Sequence, residues 1–479
     1  MTTARSQLAP LLLLSGIYVL VALLTGNGPV DDSLIFLRYA RNALHGLGIV
    51  FNPGERVEGY TSPLWLACVT AVTALSRNPA DIVPYVSGAI GLVSVLVISR
   101  RSLVAALAVA INPAYTFWSF SGMENALTGL TLAVTAVALS DNQIAQRRSV
   151  VAGLAFSLGC LSRPETVVLA PILALWLAHQ SPQQVRIRRV AGFVLPLVLV
   201  LVHLLWRKYY YGHWVPNTAF AKAGIGIATL VGPGVAYLPK MWIWWAVIIG
   251  GAAAEKRLIV LAGAVAVGWS LVVICIGGDF FPFARFGVAL IPFLAVLICR
   301  PVPGKAWLSG MAVVAASLSC LAITDDRDRG LYELRLARGW RESGIWLSQN
   351  LPPQATVATL VAGCVPYFSQ RPTIDILGLT DSHIARYGKI DRSAHVGHQR
   401  FDTEYVLARQ PDVIVLQDSG QSPWPRFGIQ GWPVFSGEEL RYVQAMDDLV
   451  RHPLTRMRYA YRAVRLPDGT YLEALWRSR

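Results

Sequence analysis

Four stretches of this 479-residue chain, 8–24, 190–206, 258–276 and 306–323, are apolar runs close to bilayer length. A helix needs about 20 apolar residues to cross the hydrocarbon layer. Within that layer each backbone N–H and C=O must find its partner inside the chain, and a helix meets this segment by segment. With 54% of residues hydrophobic and only 15% charged, the chain reads as a polytopic α-helical membrane protein. The first run carries no small-residue cleavage site ahead of a soluble region, so it reads as an uncleaved signal-anchor helix.

A net charge of +14 would suit nucleic acid if it were gathered on one helix or beside RNA-binding aromatics, and it is not. Lys and Arg instead sit in short loops at 147–148, 186–189, 256–257 and 300–305. The positive-inside rule puts these loops in the cytoplasm, against anionic lipid. Spans follow at 122–140, 148–162, 166–180, 190–206, 238–252, 258–276, 285–299 and 305–323. Nearer the N-terminus, the runs 62–76, 82–98 and 102–117 compete for two crossings. If Arg100 and Arg101 are cytoplasmic, 102–117 runs outward and 62–98 holds one span plus an embedded segment. The total is about eleven spans.

From 325 onward the sequence turns charged and mixed. Helices are expected at 338–350 and 401–409, and short buried strands at 356–361, 373–377 and 412–416, giving a soluble α/β domain. The expected division is a transmembrane module at 1–324 and an extracytoplasmic domain at 325–479. Of the six cysteines, Cys68, Cys160, Cys275, Cys299 and Cys320 lie in apolar segments and Cys364 stands apart. No spacing suggests zinc, and no disulfide is expected.

The polar motifs that interrupt the apolar pattern all fall on the outer face. The first is Asp31-Asp32, two like charges beside a membrane helix, which are costly to keep for packing alone. The others centre on Glu124, on Arg163 and Glu165, on the stretch 209–222 and on Asp279 with Arg285. Each has a plain structural reading. Basic residues at span ends snorkel to headgroups, and Tyr and Trp line the interface. Glu55 and Glu58 are suited to pairing with Arg56 or Arg41, and a lone histidine such as His213 is ordinarily structural. Asp31, Asp32, Arg163 and Arg285 sit at sharp boundaries beside apolar sequence and are harder to dismiss.

An acid pair supplies a general base. Arg163, Lys222 and Arg285 suit phosphate oxygens, and the flanking apolar helices suit a lipid tail. Together they point to a sugar carried on a polyprenyl phosphate, displaced in one inverting step. The leaving phosphate then needs positive charge more than it needs an acid. A divalent cation, Mg or Mn, bridging Asp32 and the donor phosphate is compatible with this set.

The segments 31–32, 38–42, Gly48 and 51–65 resemble the GT-C superfamily of membrane glycosyltransferases. So do Gly122 with Glu124, Arg163 with Glu165, 216–218, Lys222, 277–279, Arg285 and 374–386. The chain is most similar to the group that includes the terminal arabinofuranosyltransferases of the mycobacterial cell wall. That resemblance implies a decaprenyl- or polyprenyl-phosphoryl arabinofuranose donor, and a glycan or glycoprotein acceptor outside the bacterial inner (plasma) membrane. It also implies a base among the first-loop acids, placed on Asp31 with Asp32 second. The candidate site then has three groups. Asp31 and Asp32 are catalytic. Arg163, Lys222, Arg285, Asn217 and His213 serve the donor phosphate and lipid. Arg38, Glu58, Tyr60, Glu124, Glu165, Asp279, Asp381 and His383 bind substrate. A second cluster, Asp375, Asp381, His383, His398 and Asp402, is expected to make loop hydrogen bonds or position the acceptor. The alternatives are another donor sugar such as mannose, a flippase for a lipid-linked saccharide, or a non-catalytic assembly factor. A flippase should place ionisable residues in mid-membrane, and His203 is the main such residue here.

Overall fold

The computed structural model describes residues 2–141, 145–222, 224–249, 255–300, 304, 306–428, 431–437 and 440–478. Residues 250–252 of the expected 238–252 span, and 301–303 and 305 of the expected basic loop and last span, lie outside the described residues. Among those described, four helices are long and apolar enough to cross a membrane: Leu8–Thr25, Pro79–Ser99, Gln183–Tyr211 and Lys256–Ile276. A fifth counts if the bent pair Ala306–Ala322 and Asp326–Asn350 is one span.

The other expected spans are shorter or broken, mostly at proline, which removes a helix donor and clashes with the preceding turn. The 102–117 run splits into Leu103–Ala110 and Pro113–Ser119, with the Asn112 side chain capping the second piece at Tyr115 N–H. The 166–180 run opens as a 3₁₀ turn, Pro164–Leu169, before Ala170–Gln180. The 285–299 run is divided into Arg285–Val288 and Leu290–Ile298. One helix starts well before its expected position, at Ile227–Ile249, and carries Pro233 and Pro239.

Polar contacts sort the helix ends into two sets. At one end Asp141 pairs with Arg101 and Arg148, and Arg257 donates to the Ser140 carbonyl at 3.0 Å. At that end also Ser102 donates to the Cys299 carbonyl at 3.2 Å, and Gln146 to the Arg188 carbonyl at 2.9 Å. The basic loops therefore gather together. At the other end Gly28 N–H reaches the Phe120 carbonyl at 3.1 Å, and Tyr210 Oη accepts from Ile49 N–H at 3.0 Å. The first polar stretch is also at this end, but it is not a loop as expected. It forms the helix Asp31–Leu44, with both acids in its first turn and Leu34, Leu37 and Tyr39 buried. Carboxylates there complement the partial positive charge of the helix start. The next helix, Pro63–Leu75, begins and finishes at this end, because Asp81, just beyond it, pairs with Arg341.

The C-terminal part begins with the helix Asp326–Asn350, longer than the expected 338–350. It continues into strands β1 (Val357–Thr359), β2 (Thr373–Asp375), β3 (Lys389–Ile390), β4 (Arg400–Phe401), β5 (Val413–Val415), β6 (Tyr459–Arg465) and β7 (Tyr471–Arg477). Five of them form a mixed sheet in the order β2-β1-β5-β7-β6, parallel from β2 to β5 and antiparallel beyond. The three expected strands are present, in shorter form, and the expected 401–409 helix is Thr403–Ala408. The hairpin β6–β7 was not expected, although Asp468-Gly469 between two alternating runs signals it. Gly469 takes φ +89° there.

Because strand side chains alternate, the sheet has two apolar faces. Val357, Val413, Val415 and Ala474 join the core of the helical part, while Ala358, Ile374, Ile414 and Leu475 pack under Met446 and Leu449. Helix and sheet meet closely at Gly339, where a Cβ would stand 2.1 Å from the Gly420 carbonyl. Gly339→Ala should therefore cost about 1–3 kcal/mol, seen as a lowered thermal unfolding midpoint. Gly263→Ala, with nothing within 4 Å of its Cβ, should not lower the midpoint.

Candidate functional site

The site is built where the start of the Asp31 helix meets the 277–285 loop and the C-terminal part. Asp31 Oδ1 accepts Cys364 N–H at 2.6 Å and Oδ2 accepts Gly363 N–H at 3.1 Å. A Cβ at Gly363 would fall 1.8 Å from the Asp31 carbonyl oxygen, so this approach requires glycine. Burial pushes the Asp31 carboxyl up, the Cys364 amide opposes that, and the neighbouring Asp32 adds to it, leaving the group at about 7.

Asp32 is held differently. Its Oδ2 pairs with Arg285 Nη1 at 2.8 Å, and Arg285 Nε pairs with Asp279 Oδ2 at 2.9 Å. The loop carrying Asp279 and Arg285 is strained and pinned. Phe283 and Ala284 take φ of +57° and +46°, a region costing non-glycine residues about 1–3 kcal/mol each. Three indoles hold its carbonyls: Trp118 donates to Pro282 at 3.0 Å, Trp269 to Phe286 at 2.7 Å and Trp245 to Gly287 at 2.9 Å. Gly278, at φ +68°, lies flat against the Tyr237 ring. The Arg285 guanidinium rests over Phe281 at 4.3 Å.

Next to it, Arg163 is enclosed. It pairs with Glu165 at 2.7 Å and Glu124 at 3.4 Å, bonds Asn125 Oδ1 at 3.1 Å and lies over Phe286 at 4.9 Å. All its nitrogens are committed, so Arg163 organises Glu124 and Glu165 and is not left free for a phosphate, as expected from sequence. Lys222 is exposed and has no carboxylate partner among the described residues. Its pKa is lowered by the surrounding protein and then by Arg285, with Asp279, Asp32 and Glu165 acting against this. The charges of Asp32, Asp279, Glu165 and Arg285 thus all act on Lys222.

Sequence reasoning missed Glu333. Burial raises its carboxyl to about 7, with Asp32 and Asp31 adding to the rise and Arg329 opposing it. Its only sequence signal was an acid on an amphipathic helix, which is too common to single out. His398, expected in the second cluster, reaches this one. It stacks edge-on to Phe280 at 5.1 Å, sits 2.9 Å from the Tyr442 carbonyl, and feels the charges of Asp32 and Lys222.

Several expected substrate contacts are structural instead. Arg38 is buried, donating to the carbonyls of Phe51 (2.8 Å), Arg371 (2.8 Å) and Pro366 and to Asn52 Oδ1 (3.1 Å). It ties the helical part to the C-terminal part. Glu58 pairs with Arg207 at 2.7 Å in a buried bridge, and the buried Tyr60 hydroxyl meets Tyr211 Oη at 3.2 Å. Asn217 Nδ2 donates to the carbonyls of Gly378, Leu379 and Asp381 at 2.8–3.2 Å. His213 lies against Phe220, near Arg386 and Lys208, apart from the acid cluster.

In the C-terminal part Asp381 caps the short helix Ser382–Tyr387 and accepts from Tyr405 Oη at 3.1 Å. His383 bonds Asp402 at 3.0 Å and stacks on Tyr405 at 4.0 Å. Asp375 is wholly buried, bonded to Leu377 N–H and to Thr380. These groups shape the 375–381 turn that packs on Gly59. Among the described residues no three His, Cys, Asp or Glu side chains converge as a metal site. Asp32, the acid that the expected Mg or Mn bridge would use, is paired with Arg285.

A family model described as a domain of unknown function (DUF8728) matches residues 329–464. The chain is distantly homologous to terminal β-(1→2)-arabinofuranosyltransferases. It is 28% identical over 346 residues to the one from Corynebacterium glutamicum, covering 60% of this chain and 49% of that protein. It is 32% identical over 233 residues to the one from Mycobacterium tuberculosis, covering 41% of this chain and 35% of that protein. The chain thus spans about half or less of the length of the relatives it matches. Its fold is that of ArnT from Cupriavidus metallidurans bound to undecaprenyl phosphate, at a TM-score of 0.53 and 12% identity over 85% of this chain and 92% of that one. It is a multi-pass membrane protein.

Gly363→Ala should separate Asp31 from its two amides. The expected result is a lowered unfolding midpoint together with new protease cleavage between the helical and C-terminal parts. Gly232→Ala, with open space at its Cβ, should neither lower the midpoint nor open that cleavage.

Proposed function

We propose that the protein is an inverting glycosyltransferase that moves a sugar, D-arabinofuranose, from a polyprenyl-phosphate donor to an extracytoplasmic glycan or glycoprotein acceptor. The observation that carries the reading is the difference between two adjacent acids. Asp32 is neutralised by Arg285. Asp31 has no cationic partner among the described residues, and its carboxyl stands at about 7, where a general base works best near neutral pH. The homology to arabinofuranosyltransferases supports the sugar, and the ArnT fold, solved with undecaprenyl phosphate, supports the lipid carrier.

In this reading the acceptor hydroxyl attacks the anomeric carbon and the bond from that carbon to the phosphate oxygen breaks. The proton passes to Asp31, and the polyprenyl phosphate leaves as an anion. Lys222, without a carboxylate partner among the described residues, meets it, and Arg285 contributes its remaining Nη2 donors. Asp32 and Asp279 keep Arg285 in place, and Arg163 with Glu124 and Glu165 backs it through the Phe286 ring. Each passage between the two sets of helix ends is one crossing, broken helices included, which gives eleven. On this count residues 1–324 form the transmembrane catalytic module, residues 325–479 form an extracytoplasmic domain, and the site opens on the extracytoplasmic face.

Purified protein given synthetic polyprenyl-phosphate sugars tests the reading, with the anomeric configuration read from the product. Transfer of arabinofuranose with inversion is expected, and movement of lipid-linked sugar with no new glycosidic bond would overturn it. Asp31→Asn should lower kcat by about 10²–10⁴-fold while the protein stays folded. A raised carboxyl pKa leaves the base protonated at low pH. kcat/KM should therefore rise with pH through about 7 and level off above it. Lys222→Gln should weaken donor binding, seen as a higher KM for the polyprenyl phosphate.

A further inference from the structure

A cavity of about 350 Å³ lies apart from the acid cluster. Its walls come from three places: the end of the first outer helix (Arg41 and His45), the turn after the Pro63–Leu75 helix (Arg77 and Asp81), and Arg341 with Tyr367 from the C-terminal part. Arg341 is paired with Asp81. Arg41 and Arg77 have no carboxylate partner among the described residues, so the cavity holds two uncompensated guanidinium groups. From Asp31 to Arg41 along one helix is about 15 Å at about 1.5 Å per residue, so the cavity and the reacting groups do not overlap.

The rim is apolar. Leu44 and Leu47 are 46% and 48% exposed and Leu75 is 89% exposed, each within two residues of a cavity-lining residue. The Pro63–Leu75 helix starts and ends at the outer end of the bundle, so its apolar body runs along the bilayer surface. Cations that face a cavity, with leucines standing beside them at this depth, match a phosphate with acyl chains attached. A free anion would leave those leucines in water. Guanidinium groups bind phosphate oxygens with well-directed hydrogen bonds.

We propose that this cavity binds the phosphate of an anionic membrane lipid, with Arg41 and Arg77 on its oxygens and Leu44, Leu47 and Leu75 against its chains. The bound lipid joins the first outer helix, the 76–81 turn and the C-terminal part at one point. This inference is independent of the transfer reaction, and binding alone reads it out.

The test uses the full chain in detergent micelles, titrated with phosphatidylglycerol or phosphatidylcholine and followed by native mass spectrometry. The wild type should bind its first phosphatidylglycerol in preference to phosphatidylcholine. Arg41→Gln with Arg77→Gln should lower that affinity by about 25-fold, about fivefold per arginine, with phosphatidylcholine binding and the unfolding midpoint unchanged. Neither side chain makes a hydrogen bond or ion pair among the described residues, so the variant should fold. Glycerol phosphate at the same phosphate concentration should leave the lipid in place. The proposal is overturned if the wild type shows no preference, if the double variant binds phosphatidylglycerol as tightly, or if glycerol phosphate displaces the lipid and so marks the site as one for a free anion.

Discussion

Much of the site's geometry depends on one carboxylate seated on two backbone amides. Asp31 begins a helix in the first part of the chain, and its oxygens accept the N–H groups of Gly363 and Cys364, more than 330 residues later. The contact allows no Cβ at 363. It fixes the acid's orientation and distance without giving it a cation. Amide donors alone would lower the carboxyl's pKa, but burial and the Asp32 charge outweigh them. Arg38, two turns further along the same helix, secures the junction with donors to Pro366 and Arg371. One helix thus carries the proposed base at its start and the clamp that holds its roof at its middle.

The remaining charges are arranged so that few are free. Arg285 and Arg163 are both multiply paired and both lie on the Phe286 ring. Breaking one partner of such a buried set leaves an uncompensated charge, which is far costlier than the pair is worth. The strained backbone at Phe283 and Ala284, with three indole donors holding the loop, keeps Arg285 between Asp32 and Asp279. Against this rigid background Lys222 stands out as an accessible cation whose charged neighbours include both acids of the Arg285 bridge.

The fold was legible where composition alone decides it. Apolar length marked the helical part, and the loss of it after 325 marked the sheet. The positions of Arg101, Arg148 and Arg257 around one helix end agree with the sorting of basic loops. Less legible were the breaks. Pro113 stands inside an expected span and Pro164 and Pro282 stand just before one, where proline can kink a span or divide it; packing decides which. The helix at Asp31–Leu44 was read as a loop because it is polar at its start, though its buried Leu34, Leu37 and Tyr39 give it an amphipathic face.

For the site, residue type and position in the chain were enough to identify Asp31, Asp32, Asp279, Arg285 and Lys222 as candidates, because a charge beside an apolar span is expensive and rarely idle. Their division of labour was not in the sequence. Asp31 and Asp32 are adjacent and chemically identical, and only the tertiary structure gives one of them amides and the other a guanidinium. The same holds for Arg38, Glu58, Tyr60 and Asn217. Their identity suggested substrate contacts, but their donors and acceptors are taken by backbone and side chains far away in sequence. A side chain's chemistry is local, whereas its availability depends on which partners folding brings within hydrogen-bond distance.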